Sequence, residues 1–224
     1  MTLESTHTIV NAAAAARRGA GAFNVIQIEL AEALTAGAAD AKAPVILQIS
    51  ENAVKYHGSL EPIALATLAI ARASQFPVAV HLDHAESVEL IHEAVDLGFT
   101  SVMFDGSTLD YDANVALTAE LAAYCHERGV GIEAELGEVG GKDGVHAPGV
   151  RTNPQEAAAF VAATGVDALA VAVGSSHAMT SRDAVLDLEL ISEIRDAVPA
   201  PLVLHGSSGV ADENLTKAVE AGMT

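Results

Sequence analysis

VAVHLDHAESVELIHEAVDLGFTSVMF, residues 78–104, holds a strand, a helix and a second strand in one short stretch. Val78 to Leu82 is apolar almost throughout, as a strand covered on both faces has to be. Residues 87–96 have helical length and composition. Leu97-Gly98 then marks the hand-over to the apolar run Ser101 to Phe104. The unit is strand–helix–strand, and its short connections suit a parallel βαβ arrangement.

The same alternation extends in both directions. Strands are expected at 22–26, 45–49, 78–82, 101–104, 130–135, 168–173 and 202–204. Helices are expected at 30–41, 61–74, 87–96, 111–128, 154–164, 186–197 and 212–221. No linker, Pro-rich tract or low-complexity segment divides these seven units, so residues 1–224 read as a single domain. The expected fold class is α/β, a (β/α)8 TIM barrel. Its eighth strand and closing helices are expected to be missing from this chain, because the last helix meets the Gly222 stop signal close to Thr224. An open, doubly wound sheet is the alternative, but nothing in the sequence marks a reversal of strand order.

Composition narrows the class. The 224 residues carry 11 Lys+Arg against 30 Asp+Glu, a formal charge of −19, and half are hydrophobic. A disordered chain is excluded, and no basic cluster offers a nucleic-acid footprint. No apolar run reaches the roughly 20 residues of a membrane span, so no membrane partner is expected. The N-terminus lacks the basic region and apolar run of a signal peptide, and the single Cys125 suits a reducing compartment, so a cytoplasmic location is expected. Cys125 itself reads as a helix-core residue.

Polar residues gather where the strands end. Strand three ends in His81-Leu82-Asp83-His84, strand four in Asp105, and strand five carries Glu133 and Glu135. Strand six leads to Gly174-Ser175-Ser176-His177, and strand seven to His205-Gly206-Ser207-Ser208-Gly209. In a barrel these ends build the active site. One strand-end His is more often a satisfied, half-buried residue than a ligand. Three at the mouths of strands three, six and seven, with carboxylates beside them, suit a divalent metal such as zinc. His57, His92, His126 and His146 lack such company and read as solvated. The Gly-Ser-Ser-Gly turn admits two readings: an ordinary turn with Ser as helix cap, or an oxyanion site of backbone N–H groups. Its position after a candidate ligand favours the second.

At these residues the sequence resembles the class II, metal-dependent fructose-bisphosphate and tagatose-bisphosphate aldolases. The resemblance rests on Ala22-Phe23-Asn24-Val25, His81-Leu82-Asp83-His84, Glu133-Ala134-Glu135-Leu136-Gly137 with Gly140-Gly141, and Leu204-His205-Gly206-Ser207-Ser208-Gly209. It runs from about residue 8 to residue 224. It implies zinc ligation by His84, His177 and His205, with Asp105 and Glu135 flanking the metal. It implies Asp83 as the acid/base, Asn24 and Ser50 as substrate contacts, and Gly206, Ser207 and Ser208 as the phosphate-binding turn. The implied cofactors are zinc, or another divalent metal, and a monovalent cation. The implied partners are a phosphorylated sugar and further copies of the chain, as a homo-oligomeric dimer or tetramer.

The chemistry agrees with those residue types. A divalent cation on neutral imidazoles stabilises an enediolate as a Lewis acid, and a neighbouring carboxylate moves the hydroxyl proton. The expected reaction is reversible cleavage of a ketose 1,6-bisphosphate, fructose bisphosphate by default, to dihydroxyacetone phosphate and glyceraldehyde 3-phosphate, a glycolytic lyase step. Rival readings are a tagatose-bisphosphate or other phosphorylated-ketose aldolase, a metal-dependent barrel hydrolase, and a non-catalytic sugar-phosphate-binding relative. The sequence departs from the family at Lys142-Asp143-Gly144, where a loop Glu is usual; Asp143 or Glu138 are the substitutes. It departs again at Ala178, where the family usually has Gly, and at Met179 to Arg182, where the usual Tyr-Lys is absent; this weakens the implied phosphate contact and leaves Arg182 as the candidate replacement for the Lys.

Overall fold

The computed structural model describes residues 2–136, 151–177 and 179–224. Seven strands form one sheet in chain order: β1 (Ala22–Asn24), β2 (Val45–Ser50), β3 (Val78–Ala85), β4 (Ser101–Phe104), β5 (Gly131–Glu135), β6 (Ala168–Ala170) and β7 (Leu202–Val203). Neighbours pair in parallel, with Gln48 opposite His81, Ser50 opposite Asp83, and Glu135 opposite Ala170. This is the seven-stranded parallel α/β order that the alternation predicts.

Helices α2 (Ile28–Ala41), α4 (Glu61–Ala73), α5 (Val88–Leu97), α6 (Tyr111–His126), α7 (Pro154–Thr164), α8 (Leu188–Ala197) and α9 (Asp212–Ala221) lie close to their expected limits. Local chemistry sets their ends. The Ser87 hydroxyl accepts from Leu90 N–H to start α5, and Asp187 accepts from Leu190 N–H to start α8. Asn153 accepts from the N–H groups of Gln155 and Glu156, with Pro154 in the first turn of α7. Gly98 and Gly165 close α5 and α7 in the left-handed region.

Two further helices were not expected. One is α1 (Thr6–Ala15), in which Ile9 is the buried residue, so an apolar stripe is missing from its sequence. The other is α3 (Glu51–His57), only seven residues long and started by the Ser50 hydroxyl, which accepts from Ala53 N–H. Strand β6 is shorter than its apolar run. Beyond Ala170 the chain turns to Thr152: Ala172 N–H donates to Thr152 Oγ1, and Thr152 N–H donates to the Ala172 carbonyl.

The chain divides into two compact units. The first comprises the residues up to Ala12, Ala20–Phe104 and Ala123–Ile132, and its core includes Leu47, Ile49, Leu68, Leu82, Ile91 and Phe104, with Cys125 fully buried. The second comprises Ala13–Gly19, Asp105–Ala122 and Glu133–Thr224, around Leu121, Phe160, Leu169, Ile191 and Ile194. In the second unit Met223 bridges Leu202 in parallel, and Thr224 N–H donates to the Leu202 carbonyl at 3.1 Å. The backbone after α9 thus re-enters the sheet beside β7, as the Gly222 stop signal predicts. No helix among the described residues is long and apolar enough to cross a membrane.

Phe160 is fully buried and stacks near Tyr111, with ring centroids 6.4 Å apart. Phe160→Ala is expected to destabilise the protein by about 3–5 kcal/mol in urea unfolding, the range for emptying a buried aromatic site. A loss below about 1 kcal/mol would mean that the site collapses around the gap.

Candidate functional site

In the first unit the polar groups sit at the ends of β1, β2 and β3. Gln48 Nε2 donates to Asn24 Oδ1 at 3.1 Å and to Asp83 Oδ2 at 3.2 Å. One amide therefore holds two predicted site residues, an exposed Asn24 and an Asp83 that is only 4% exposed. The motifs did not single out Gln48; its parallel register between Asn24 and His81 is the structural reason it lies there. Ser50 is opposite Asp83, and its hydroxyl oxygen serves as the cap of α3, which orients its own O–H as a donor.

His84 occupies an unusual backbone position. Its φ is +46°, a left-handed conformation that a non-glycine residue seldom adopts, and the β3–β4 register shifts between Leu82 and Ala85. Such a conformation costs about 1–3 kcal/mol and is retained where surrounding contacts over-determine it. His81, three residues earlier, is buried and takes no such turn. Its Nδ1 lies 2.6 Å from Ser101 Oγ, Ser101 donates to Thr6 Oγ1 at 2.7 Å, and Thr6 meets Thr100 Oγ1 at 2.9 Å. Thr100 spends its hydroxyl proton on the Val80 carbonyl. Each hydroxyl has one proton, so the chain runs one way and His81 donates from Nδ1.

In the second unit His205 is the best-defined site residue. Its Nε2 lies 2.8 Å from Glu133 Oε1, and both side chains are nearly buried. An ionised carboxylate can only accept, so Nε2 is the donor of this pair. A carboxylate behind an imidazole is the arrangement found behind metal-bound histidines. His177 is exposed, with its ring centroid 5.7 Å from that of His205. Ser175 Oγ donates to the His205 carbonyl at 2.7 Å, fixing the backbone there. Glu135 is buried on the same face of β5 as Glu133, and Asn114 Nδ2 donates to its carbonyl at 3.1 Å. Asp105 closes a local turn, its Oδ1 accepting from both N–H and Oγ–H of Ser107.

The 206–209 turn is not a helix cap. Ser207–Gly209 form a short 3-10 turn, while α9 starts from Ala211 without a side-chain cap. Gly206 has φ +67°, and a Cβ there would lie 2.4 Å from the Ser176 carbonyl oxygen. Gly209 packs under Met179. Arg182, expected to reach a phosphate in place of Lys, donates instead to the Val210 carbonyl at 3.0 and 2.7 Å and pairs with Asp212. Its charge is committed to holding the turn's backbone. His92 is half-buried, and its ring lies 4.2 Å from that of Tyr124. Glu138, Asp143 and Ala178 lie outside the described residues.

Comparisons with known proteins identify the family. The model of the class II fructose-bisphosphate aldolases matches residues 4–224. The chain belongs to the class II fructose-bisphosphate aldolase family. It is 43% identical over 197 residues to the fructose-bisphosphate aldolase of Giardia intestinalis, an alignment covering 86% of this chain and 61% of that relative. It is 38% identical to the fructose-bisphosphate aldolase of Geobacillus stearothermophilus, covering 99% of this chain and 79% of the relative. The crystal structure of the YdjI aldolase from Escherichia coli K12 superposes with a TM-score of 0.89 at 33% identity, over 99% of this chain and 80% of that one. The chain thus spans about three-fifths of the Giardia aldolase's length and four-fifths of the other two.

The tight approach at Gly206 gives a direct check on the turn after His205. Gly206→Ala must open the contact with the Ser176 backbone and also hold alanine at positive φ. A stability loss of at least about 1 kcal/mol is expected, read as a lowered midpoint in denaturant. An unchanged midpoint would show that the 174–177 segment and the turn do not approach as described.

Proposed function

We propose that this protein is a metal-dependent aldolase that reversibly cleaves a ketose 1,6-bisphosphate to dihydroxyacetone phosphate and glyceraldehyde 3-phosphate. Fructose bisphosphate is the first choice of substrate, supported by the names of the two curated relatives. The observation that carries the reading is the Glu133–His205 pair, because a carboxylate fixing one ring nitrogen orients an imidazole as metal ligands are oriented.

In this reading His84, His177 and His205 hold the cation, and Asp105 and Glu135 flank it and can hold it in an alternative position. Two groupings of suitable ligand type support it, His84 with His177 and His205, and His84 with Asp105 and Glu135. An all-imidazole set that leaves a coordination position for substrate suits zinc. When bound, the metal supplies Lewis-acid stabilisation of the enediolate oxygens.

The remaining work falls to the protein's side chains. Asp83, fixed through Gln48, takes the proton from the substrate hydroxyl beside the breaking carbon–carbon bond and returns it in condensation. Asn24, held by the same amide, contacts the substrate at the end of β1. The turn after His205 spends Gly209 N–H on the Gly206 carbonyl and Val210 N–H on Ser207. A phosphate would therefore address the N–H groups of Ser207 and Ser208, whose side chains are exposed. Arg182 keeps those donors in place from behind. The reading treats residues 1–224 as one barrel domain and the enzyme as a cytoplasmic homo-oligomer.

The test is cleavage of fructose and tagatose bisphosphates by the zinc-loaded protein, before and after chelation. Triose phosphate release that disappears with chelator and returns with zinc is expected. Release of inorganic phosphate instead would indicate a hydrolase, and binding without turnover a non-catalytic relative. Asp83→Ala is expected to retain its zinc while losing about 10²–10⁴-fold in turnover, the usual contribution of an acid/base group. Loss of zinc with this substitution would make Asp83 a support for the ligands.

A further inference from the structure

Glu51 is the first residue of α3, and its side chain is only 12% exposed. Its Oε2 accepts from the N–H of Glu86 at 2.7 Å and of Ser87 at 3.3 Å. Its Oε1 meets Lys55 Nζ at 2.9 Å, one helical turn further on. The two N–H groups it takes follow Ala85, whose pairing with Phe104 closes the β3–β4 ladder just past the left-handed His84 and the register shift. A backbone leaving the sheet loses its ladder partners at that point, so its N–H groups need another acceptor. The position of Glu51 is itself well fixed. The Ser50 cap starts α3, and Ser50 lies opposite Asp83 in the β2–β3 register.

We propose that Glu51 is a positioning residue for His84, clamping the chain just beyond it so that the strained backbone aims the imidazole at the metal. The proposal rests on the reading of His84 as a ligand given above. Glu51 is placed to act through the backbone and touches neither metal nor substrate. Burial raises the Glu51 carboxyl, but the hydrogen bonds from Lys55, Glu86 N–H and Ser87 N–H outweigh it and hold the group below its ordinary range. A depressed folded value means that the clamp is intact above the ordinary carboxylate value of about 4.3 and is lost as pH falls through the folded one.

The alternative role is purely structural, since Ser87 is also the cap of α5. A capping role would lower the stability of the metal-free protein and leave metal affinity unchanged. The experiment is therefore chelator competition with zinc as probe, alongside melting of the metal-free proteins, for wild type, Glu51→Ala, Glu51→Gln and Lys55→Ala. Glu51→Ala is expected to weaken zinc binding about tenfold or more, within the 10–100-fold typical of groups that orient metal ligands. Glu51→Gln keeps an acceptor oxygen without the charge and should lose less. Lys55→Ala leaves both N–H bonds in place and should bind zinc within about twofold of wild type, well short of that effect.

Wild-type zinc affinity in Glu51→Ala, with only its melting temperature lowered, overturns the proposal. If Glu51→Ala does not fold, Glu51→Gln decides, and an affinity equal to wild type overturns it. A wild-type protein that takes up no zinc fails the functional reading and this inference with it. Zinc uptake by wild type with no change in the variants fails the inference alone.

Discussion

A parallel ladder covered on both faces leaves little room for polar chemistry within the sheet. Val45 to Leu47, Val78 to Val80 and Ser101 to Phe104 are buried almost without interruption, and an unpartnered charge among them would cost several kcal/mol. Charged and hydrogen-bonding side chains are displaced to the carboxyl ends of the strands, where the backbone leaves the sheet. Asn24, Ser50, Asp83, His84, Asp105, Glu135, His177 and His205 all occupy such places or the segments that follow them. The family's chemistry depends on this displacement, since short connections let successive strand ends present side chains of different kinds.

Those side chains are held by partners that are not themselves expected to react. Gln48 divides one amide between Asn24 and Asp83, and Glu133 fixes the His205 tautomer. Ser175 ties down the His205 carbonyl, and Arg182 ties down that of Val210. Each partner removes a rotational freedom that binding would otherwise have to freeze, the physical content of preorganisation. The close approach at Gly206 serves the same end through the backbone, because only a residue without Cβ lets the Ser176 carbonyl so near.

The strand–helix alternation was legible because strands buried on both faces are written as unbroken apolar runs. Helix α3 was not, because its seven residues depend on the Ser50 cap for their start and carry no full amphipathic period. The candidate ligands were legible for a different reason, as histidines at strand ends, two of them beside Gly/Ser turns. Their supporting groups were hidden. Gln48 lies inside an apolar strand with no motif around it, and only its register with Asn24 and His81 gives it a role. Arg182 shows the opposite limit. Its charge suggested a phosphate contact, but spacing could not reveal that the Val210 carbonyl and Asp212 had already claimed it. The Glu51 clamp also depends on contacts distant in sequence, 35 and 36 residues away.

The central claim is that three imidazoles from the ends of β3, β6 and β7 hold one divalent cation. X-ray absorption at the zinc edge of the zinc-loaded protein tests it without reference to turnover. Three nitrogen scatterers with imidazole multiple-scattering features at about 2.0–2.1 Å, completed by oxygen, are the predicted shell. The set should drop to two imidazoles in His205→Ala. A wild-type shell of oxygen alone, or one retaining three imidazoles in His205→Ala, would contradict the assignment.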